Sequence, residues 1–150
     1  MKIAIGSDHA GFGLKEQIKV FLDARGTVWE DFGADSEDAV DYPDTAFPLA
    51  QAVVRGTFDL GILVCGTGIG MSIAANKVRG IRAALCLTPE MAAMSRRHND
   101  ANILALGGRL LSPKAAMEVV ETWLETAFEA DRHACRVGKI RRYEEKGRDR

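Results

Sequence analysis

The stretch LGILVCGTGIGMS, residues 60–72, decides the fold class. It opens with an apolar run that is typical of a strand buried on both faces of a parallel sheet. Three glycines follow within five residues, and the chain then enters a predicted helix. Glycine permits the tight turn that this junction needs and lets backbone N–H groups point towards a ligand. The stretch therefore predicts a strand, a turn and a helix of a parallel α/β domain.

The rest of the chain repeats this alternation of strands and helices. Apolar runs of strand length lie at residues 2–5, 27–29, 60–65, 83–87 and 102–106. Amphipathic segments separate them, and two begin with a capping hydroxyl before a first-turn proline, at Thr88-Pro89 and Ser112-Pro113. Residues 31–48 are expected to be irregular and to lie over one edge of the sheet. The pattern predicts one domain over residues 1–150: a doubly wound, five-stranded parallel sheet with helices on both faces, Rossmann- or flavodoxin-like, plus a C-terminal helix.

The composition excludes several classes of protein. With 47% hydrophobic and 27% charged residues and a net charge of -1, the chain is neither disordered nor basic enough to indicate nucleic acid as a partner. No apolar run reaches the roughly 18 residues of a membrane helix, and the N-terminus turns polar too early for a signal peptide. The three cysteines are too widely spaced for a disulfide framework. We expect a soluble, cytoplasmic protein with reduced cysteines.

Residues 132–150 form a basic C-terminal helix or tail, with eight basic and three acidic side chains. Within this segment Arg132, Arg136 and Lys139 recur at helical spacing and share one face of the predicted helix. That face is suited to bind an anion or to contact a partner subunit. For the last third of the segment, a solvated tail is an equally good interpretation. His133 lies between charged residues and is expected on a solvated face of the helix.

Ligands of doubly wound sheets bind beyond the carboxyl ends of the strands. Two segments of unusual composition are expected there, GSDHAG at residues 6–11 and CGTGIG at residues 65–70. The second lacks the lysine of a Walker loop, the spacing of a dinucleotide fingerprint and the arginine of a cysteine phosphatase loop. What remains is a thiol facing backbone amides. Cys65 therefore suits a general base or a nucleophile, and the amides suit a negatively charged oxygen.

The other cysteines and the histidines give weaker signals. Cys86 is expected as a small apolar core residue and Cys135 as an ordinary helix residue. His9 is expected at the binding edge, and His98 near the end of the fourth helix. No pair of histidines or cysteines has the spacing of a zinc or non-haem iron site, so a metal ion is not expected.

Four segments together resemble the ribose-5-phosphate isomerase B family, which also includes the galactose-6-phosphate isomerase subunits. They are GSDHAG (6–11), DYP (41–43), CGTGIG (65–70) and RRHNDAN (96–102). The resemblance runs in order from residue 2 to about residue 137. It implies a cofactor-free aldose–ketose isomerase that acts on a small sugar phosphate. It also implies a homodimer or homotetramer, while the composition and hydropathy above give no indication of a membrane or nucleic-acid partner.

The resemblance also implies roles for individual residues. Cys65 would be the base that moves a proton between C1 and C2 through a cis-enediol, and His98 would open the sugar ring. Thr67 would steady the thiolate and the enediolate, and Asp8 would lie beside the ring oxygens. The other implied substrate-binding residues are His9, Tyr42, Gly66, Gly68, Ile69, Gly70, Asn99, Arg109, Arg132 and Arg136.

The predicted topology separates the two main catalytic candidates. Cys65 ends a strand and so lies at the carboxyl edge of the sheet. His98 ends the helix after the fourth strand, and such helices run back to the opposite edge. If both residues serve one site, His98 must come from a neighbouring subunit. We therefore expect an active site at a dimer interface, and a monomeric variant is expected to be inactive.

Interconversion of ribose 5-phosphate and ribulose 5-phosphate is the preferred function, and three others stay open. An isomerase of hexose 6-phosphates (galactose 6-phosphate, allose 6-phosphate) or of free aldoses differs in pocket depth, which the sequence does not reveal. A non-catalytic phosphosugar-binding module predicts loss of the base or the acid, yet Cys65 and His98 are both present. A thiol redox protein needs a resolving cysteine close to Cys65, and none lies nearby in the sequence.

Overall fold

The computed structural model describes residues 1–147, and the last three residues of the predicted tail lie outside them. The strands form one parallel sheet in the order β2-β1-β3-β5-β4. They are β1 (Lys2–Ser7), β2 (Val28–Asp31), β3 (Leu60–Cys65), β4 (Ala83–Leu85) and β5 (Ile103–Gly107). The helices are α1 (Phe12–Ala24), α2 (Tyr42–Val54), α3 (Ile69–Ala75), α4 (Pro89–Asn99), α5 (Pro113–Glu125) and α6 (Ala130–Lys146), and a 3-10 turn covers His9–Gly11. The predicted doubly wound α/β fold is confirmed.

The sheet lies between two layers of helices, each with its own apolar core. Along β3 the side chains alternate between these layers: Ile62 and Val64 pack in the core that holds α1 and α5, while Leu63 and Cys65 pack in the core that holds α2 and α3. Because both faces are covered, every residue of β3 is buried. Among the helices of residues 1–147, none is both long and apolar enough to span a bilayer.

Both predicted helix starts are confirmed by their caps. The Thr88 hydroxyl accepts a hydrogen bond from the Met91 N–H at 3.2 Å, and the Ser112 hydroxyl accepts one from the Ala115 N–H at 3.2 Å. Each cap satisfies a backbone donor that has no partner inside its own helix. The caps thus fix where α4 and α5 begin.

The expectation of an irregular segment over residues 31–48 was wrong for its second half. α2 begins at Tyr42, with Pro43 in the first turn, where a missing N–H removes no helical hydrogen bond. Pro48 lies inside this helix, although an internal proline costs about 3 kcal/mol. The helix persists because its apolar face, which includes Leu49 and Val53, is buried against the sheet.

Lys15 is a fully buried lysine that holds the turn after β2. Its Nζ donates to the two carboxylate oxygens of Asp31 at 2.7 and 2.6 Å and to the carbonyl of Ala34 at 2.7 Å. Burial alone would raise the pKa of Asp31, but hydrogen bonds from Lys15 and a second lysine hold that pKa below its ordinary value. Gly33 and Ala34 in turn exchange backbone hydrogen bonds with Ser7 at the end of β1. The buried ion pair therefore fixes the backbone beside the first loop.

Lys15→Met is expected to lower the free energy of unfolding by about 3 kcal/mol, because Asp31 would keep its charge in a poorly hydrated position. Lys19→Met is the matched control, since Lys19 also pairs with Asp31 but is partly exposed. This second variant should cost less than half as much. Urea unfolding at pH 7 measures both, and equal losses would contradict the assigned role of Lys15.

Candidate active site

The carboxyl ends of three central strands bring three loops together. The Asp8 N–H donates to the carbonyl of Val64 at 3.2 Å, which joins the loop after β1 to β3. The Gly108 N–H donates to the carbonyl of Cys65 at 2.7 Å, and the Arg109 N–H donates to that of Gly66 at 3.0 Å. The two segments expected at this edge therefore lie together, and a third segment after β5 joins them.

Cys65 lies at the centre of this edge with its thiol against a backbone amide. The thiol is buried, and its Sγ accepts a hydrogen bond from the Gly68 N–H at 3.1 Å. Gly68 has a φ of +78°, and a Cβ there would lie 2.5 Å from the Leu85 side chain. The seven-residue helix α3 begins directly after this contact. The expected contact between thiol and amide is present.

The other residues of the glycine-rich loop also make local contacts. The Thr67 hydroxyl accepts a hydrogen bond from the Ile69 N–H at 3.3 Å, and both side chains are exposed. The ring of Tyr42 lies so close to Gly70 that a Cβ there would be 2.9 Å from it. On the other side of the loop, the Arg109 side chain would lie 3.4 Å from a Cβ on Gly66. A phenol and a guanidinium therefore flank the loop that carries Cys65.

Asp8 and His9 occupy the neighbouring loop. The Asp8 carboxylate accepts a hydrogen bond from the Gly11 N–H at 3.0 Å, so one of its oxygens caps the 3-10 turn. Nδ1 of His9 lies 3.2 Å from the Val40 carbonyl oxygen, which leaves Nε2 as the ring nitrogen for a ligand. His9 borders a cavity of about 430 Å³ that is also lined by Asp41. The cavity and the Cys65 loop adjoin the same first loop.

His98 and Asn99 lie at the opposite edge of the sheet, as the topology predicted. Arg82, directly before β4, donates to the carbonyl oxygen of Asn99 at 2.9 Å, so α4 ends where the strands begin. Gly61 pairs with Ile103 at that edge, and Cys65 lies four residues further along β3. At about 3.3 Å per residue the two edges are roughly 13 Å apart. One chain therefore does not bring His98 to Cys65.

The expectation of a solvated His133 was wrong. Its side chain is buried and its ring stacks on that of His98, with centroids 4.2 Å apart and an angle of 12°. Partial desolvation, followed by the nearby charges of His98, Arg132 and Arg136, lowers the pKa of His133. His133 and the buried Val137 are four residues apart, so they share the face of α6 that points inward. Arg132 and Arg136, each one position earlier in the sequence, are exposed. That spacing is the signal that would have identified His133.

The remaining cysteines occupy the expected environments. Cys86 is buried, and burial raises the pKa of its thiol to about 11. Cys135 is exposed on α6, and all three cysteines are free thiols. Cys65 is thus the cysteine that combines a position at the carboxyl edge with a backbone amide donor.

Treatment of the folded protein with iodoacetamide is expected to label Cys135 first and Cys86 last. Alkylation requires both access and a thiolate, and Cys86 has neither at neutral pH. Peptide mapping by mass spectrometry at several times measures the order. Labelling of Cys86 at the rate of Cys135 would contradict the described burial, and full labelling of all three in denaturant is the control.

Comparison with known proteins agrees with this geometry. Residues 3–140 match the family described as Ribose/Galactose Isomerase. Ribose-5-phosphate isomerase B of Escherichia coli is 47% identical, with 97% of each chain covered. The structure of ribose-5-phosphate isomerase B of Clostridium thermocellum superposes with a TM-score of 0.96 at 55% identity, covering 97% of this chain and 99% of that one. The enzyme of Mycoplasma genitalium, solved with bound ribulose-5-phosphate, gives 0.93 at 42% identity over 96% of each chain.

Family match, sequence identity and fold agree over almost the whole chain. The parallel sheet carries its glycine-rich loop and Cys65 at the edge where ligands of this fold bind. The chain therefore belongs to the ribose/galactose isomerase family and is an aldose–ketose isomerase.

Proposed function

We propose that this enzyme interconverts ribose 5-phosphate and ribulose 5-phosphate by proton transfer alone, without a metal ion or a cofactor. The observation that carries the proposal is the Cys65 thiol, which accepts a hydrogen bond from the Gly68 amide at the carboxyl edge. The names of the Escherichia coli and Clostridium thermocellum relatives, and the ribulose-5-phosphate bound to the Mycoplasma genitalium enzyme, support this choice of substrate.

The isomerisation moves one hydrogen between neighbouring carbon atoms. Cys65, as the thiolate, removes the proton from C2 of the open-chain aldose, and the electron pair forms the C1–C2 double bond of a cis-enediol. The same thiol returns a proton to C1, while a hydroxyl proton moves from O2 to O1, which gives the ketose. General acid–base catalysis of this kind contributes about 10²–10⁴-fold.

The backbone around Cys65 has the donors that this intermediate needs. The Gly68 N–H stabilises the thiolate before the proton is removed. Neighbouring N–H groups of residues 66–70 and the exposed Thr67 hydroxyl then stabilise the enediolate oxygens, whose charge develops during the reaction. The Asp8 oxygen not used for capping, together with Tyr42, orients the sugar hydroxyls.

Ring opening requires a second acid–base group, because a sugar phosphate of this size is mainly cyclic in water. We assign this step to His98, which donates a proton to the ring oxygen as the bond from that oxygen to C1 breaks. The neutral imidazole then takes up the proton that the C1 hydroxyl loses, so His98 returns to its starting form. Since His98 and Cys65 lie at opposite edges of one chain, the His98 that acts on a given substrate belongs to a second subunit. The enzyme is thus proposed to be a cytoplasmic homodimer or homotetramer with its active sites at the subunit interface.

The phosphate group is held from both subunits in this arrangement. His9 and Arg109 lie on the chain that contributes Cys65, whereas Arg132 and Arg136 lie beside His98 and His133. Both α6 arginines are exposed, so their planar guanidinium groups are available for paired hydrogen bonds to a phosphate. Asn99, also exposed at the end of α4, is assigned to a sugar hydroxyl.

The purified enzyme is expected to convert ribose 5-phosphate to ribulose 5-phosphate in the presence of EDTA and with no added cofactor. Cys65→Ala should lower kcat by about 10³-fold or more, because the base acts in the transition state. Its affinity for ribose 5-phosphate should stay within about fivefold, because the phosphate and hydroxyl contacts remain. Product formation and isothermal titration measure the two quantities.

Cys135→Ala is the matched control and should keep the wild-type kcat, since this cysteine is exposed on α6 and has no assigned role in proton transfer or phosphate binding. Wild-type turnover by Cys65→Ala would show that the base has been wrongly assigned. Conversion of a hexose 6-phosphate but not of ribose 5-phosphate would overturn the proposed substrate while leaving the chemistry intact.

A further inference from the structure

Three metal-ligating side chains meet where α4 ends and α6 begins. They are His98, Glu129 and His133, and their ligand atoms all lie within 4.8 Å of one another. The backbone holds them together, because the Glu129 N–H donates to the carbonyl of Arg97 at 3.0 Å. We propose that these three residues form an inhibitory binding site for Zn²⁺. The inhibitory part rests on the proposed function, because it requires that His98 act in ring opening.

An unsatisfied nitrogen supports a ligand at this place. Nδ1 of His133 is buried and has no hydrogen-bond partner within residues 1–147. A buried polar atom without a partner is unfavourable by about 1–3 kcal/mol, so such atoms are rare in folded proteins. A bond from a ring nitrogen of His133 to a metal ion would allow the ring to reorient and remove this penalty.

The geometry is close to that of a zinc site and needs a small adjustment. Zn–N and Zn–O bonds of about 2.0–2.2 Å place tetrahedral ligand atoms roughly 3.4 Å apart. Since the ligand atoms lie within 4.8 Å of one another, they must approach by up to roughly 1.4 Å. The stacked imidazoles must also tilt, because the lone pair of a ring nitrogen lies in the plane of its ring. His98 is only half-buried and Glu129 is exposed, so both side chains have room to rotate.

The donor set selects the metal. Two imidazoles and one carboxylate are ligands that Zn²⁺ accepts, with a fourth position left for water or an oxygen of the substrate. Mg²⁺ and Ca²⁺ prefer oxygen ligands, and the positive charges of Arg97, Arg132 and Arg136 further disfavour ions that bind only through charge. Glu129 contacts Arg97 at 3.6 Å in the free protein, but both side chains are exposed, so Zn²⁺ displaces a weak ion pair.

Bound Zn²⁺ would stop ring opening. A metal-bound nitrogen of His98 has no lone pair with which to exchange a proton with the sugar. The ion would also draw His133 away from its stacked position. Zn²⁺ therefore acts on the proposed acid–base group without touching Cys65, and removal of the ion by a chelator restores the free histidine.

Competition between the enzyme and a chromophoric chelator for Zn²⁺ tests the site without any activity measurement. Wild-type enzyme should bind one Zn²⁺ per chain, and Glu129→Gln and His133→Asn should each weaken that binding about tenfold or more. Cys65→Ala and Cys135→Ser should bind Zn²⁺ as tightly as wild type, because thiolates are the competing ligands in this chain. Binding that survives Glu129→Gln and His133→Asn, or that is lost in Cys65→Ala, would overturn the site.

The activity assay tests the inhibitory part separately. Zn²⁺ should inhibit the wild-type enzyme and EDTA should reverse the inhibition, while the same concentration of Mg²⁺ should have no effect. Glu129→Gln should keep the basal activity and require about tenfold more Zn²⁺ for half-inhibition. Tight Zn²⁺ binding without inhibition would overturn the inhibitory role, and with it the role of His98. If the wild-type enzyme does not bind Zn²⁺, the proposed metal site is overturned, but the proposed isomerisation is not affected.

Discussion

The handedness and direction of the crossover connections determine where the two proposed catalytic residues lie. In a parallel sheet each strand runs to one edge and each following helix returns the chain to the other. Cys65 at the end of β3 and His98 at the end of α4 are therefore held at opposite edges, and no change of rotamer brings them together. A reaction that needs both residues requires two chains. The oligomer that we propose thus follows from the topology of a single subunit.

Close backbone packing at the carboxyl edge depends on this same sheet. The three loops are held close to the Cys65 thiol by backbone hydrogen bonds of Asp8 to Val64, of Gly108 to Cys65 and of Arg109 to Gly66. At the other end of the site, Lys15 and Asp31 fix the turn that hydrogen-bonds to Ser7, two residues before His9. A buried ion pair is often neutral for stability. In this chain the position of the Lys15–Asp31 pair explains its presence, because the pair orders the backbone from which the first loop starts.

Much of this arrangement could be predicted from the sequence because its causes are local. The apolar run before Cys65, the glycines after it and the capping residues Thr88 and Ser112 each determine the conformation of their own neighbours. The helical state of residues 42–48 was missed because burial of Leu49 and Val53, which is a tertiary effect, outweighs the local cost of Pro48. His133 was missed because its charged neighbours dominate the local pattern, whereas its burial depends on α4. The cluster with His98, in contrast, has no signal in the spacing, since the two histidines are distant in sequence.

Mixed dimers test the central claim, that one active site is built from two chains. Cys65→Ala and His98→Asn subunits carrying different tags would be produced together, and dimers containing one of each would be purified. Each variant alone should be inactive, whereas each mixed dimer should contain one intact site and show about half of the wild-type activity. Mixed dimers as inactive as their parents, or a His98→Asn enzyme with wild-type turnover, would contradict the account.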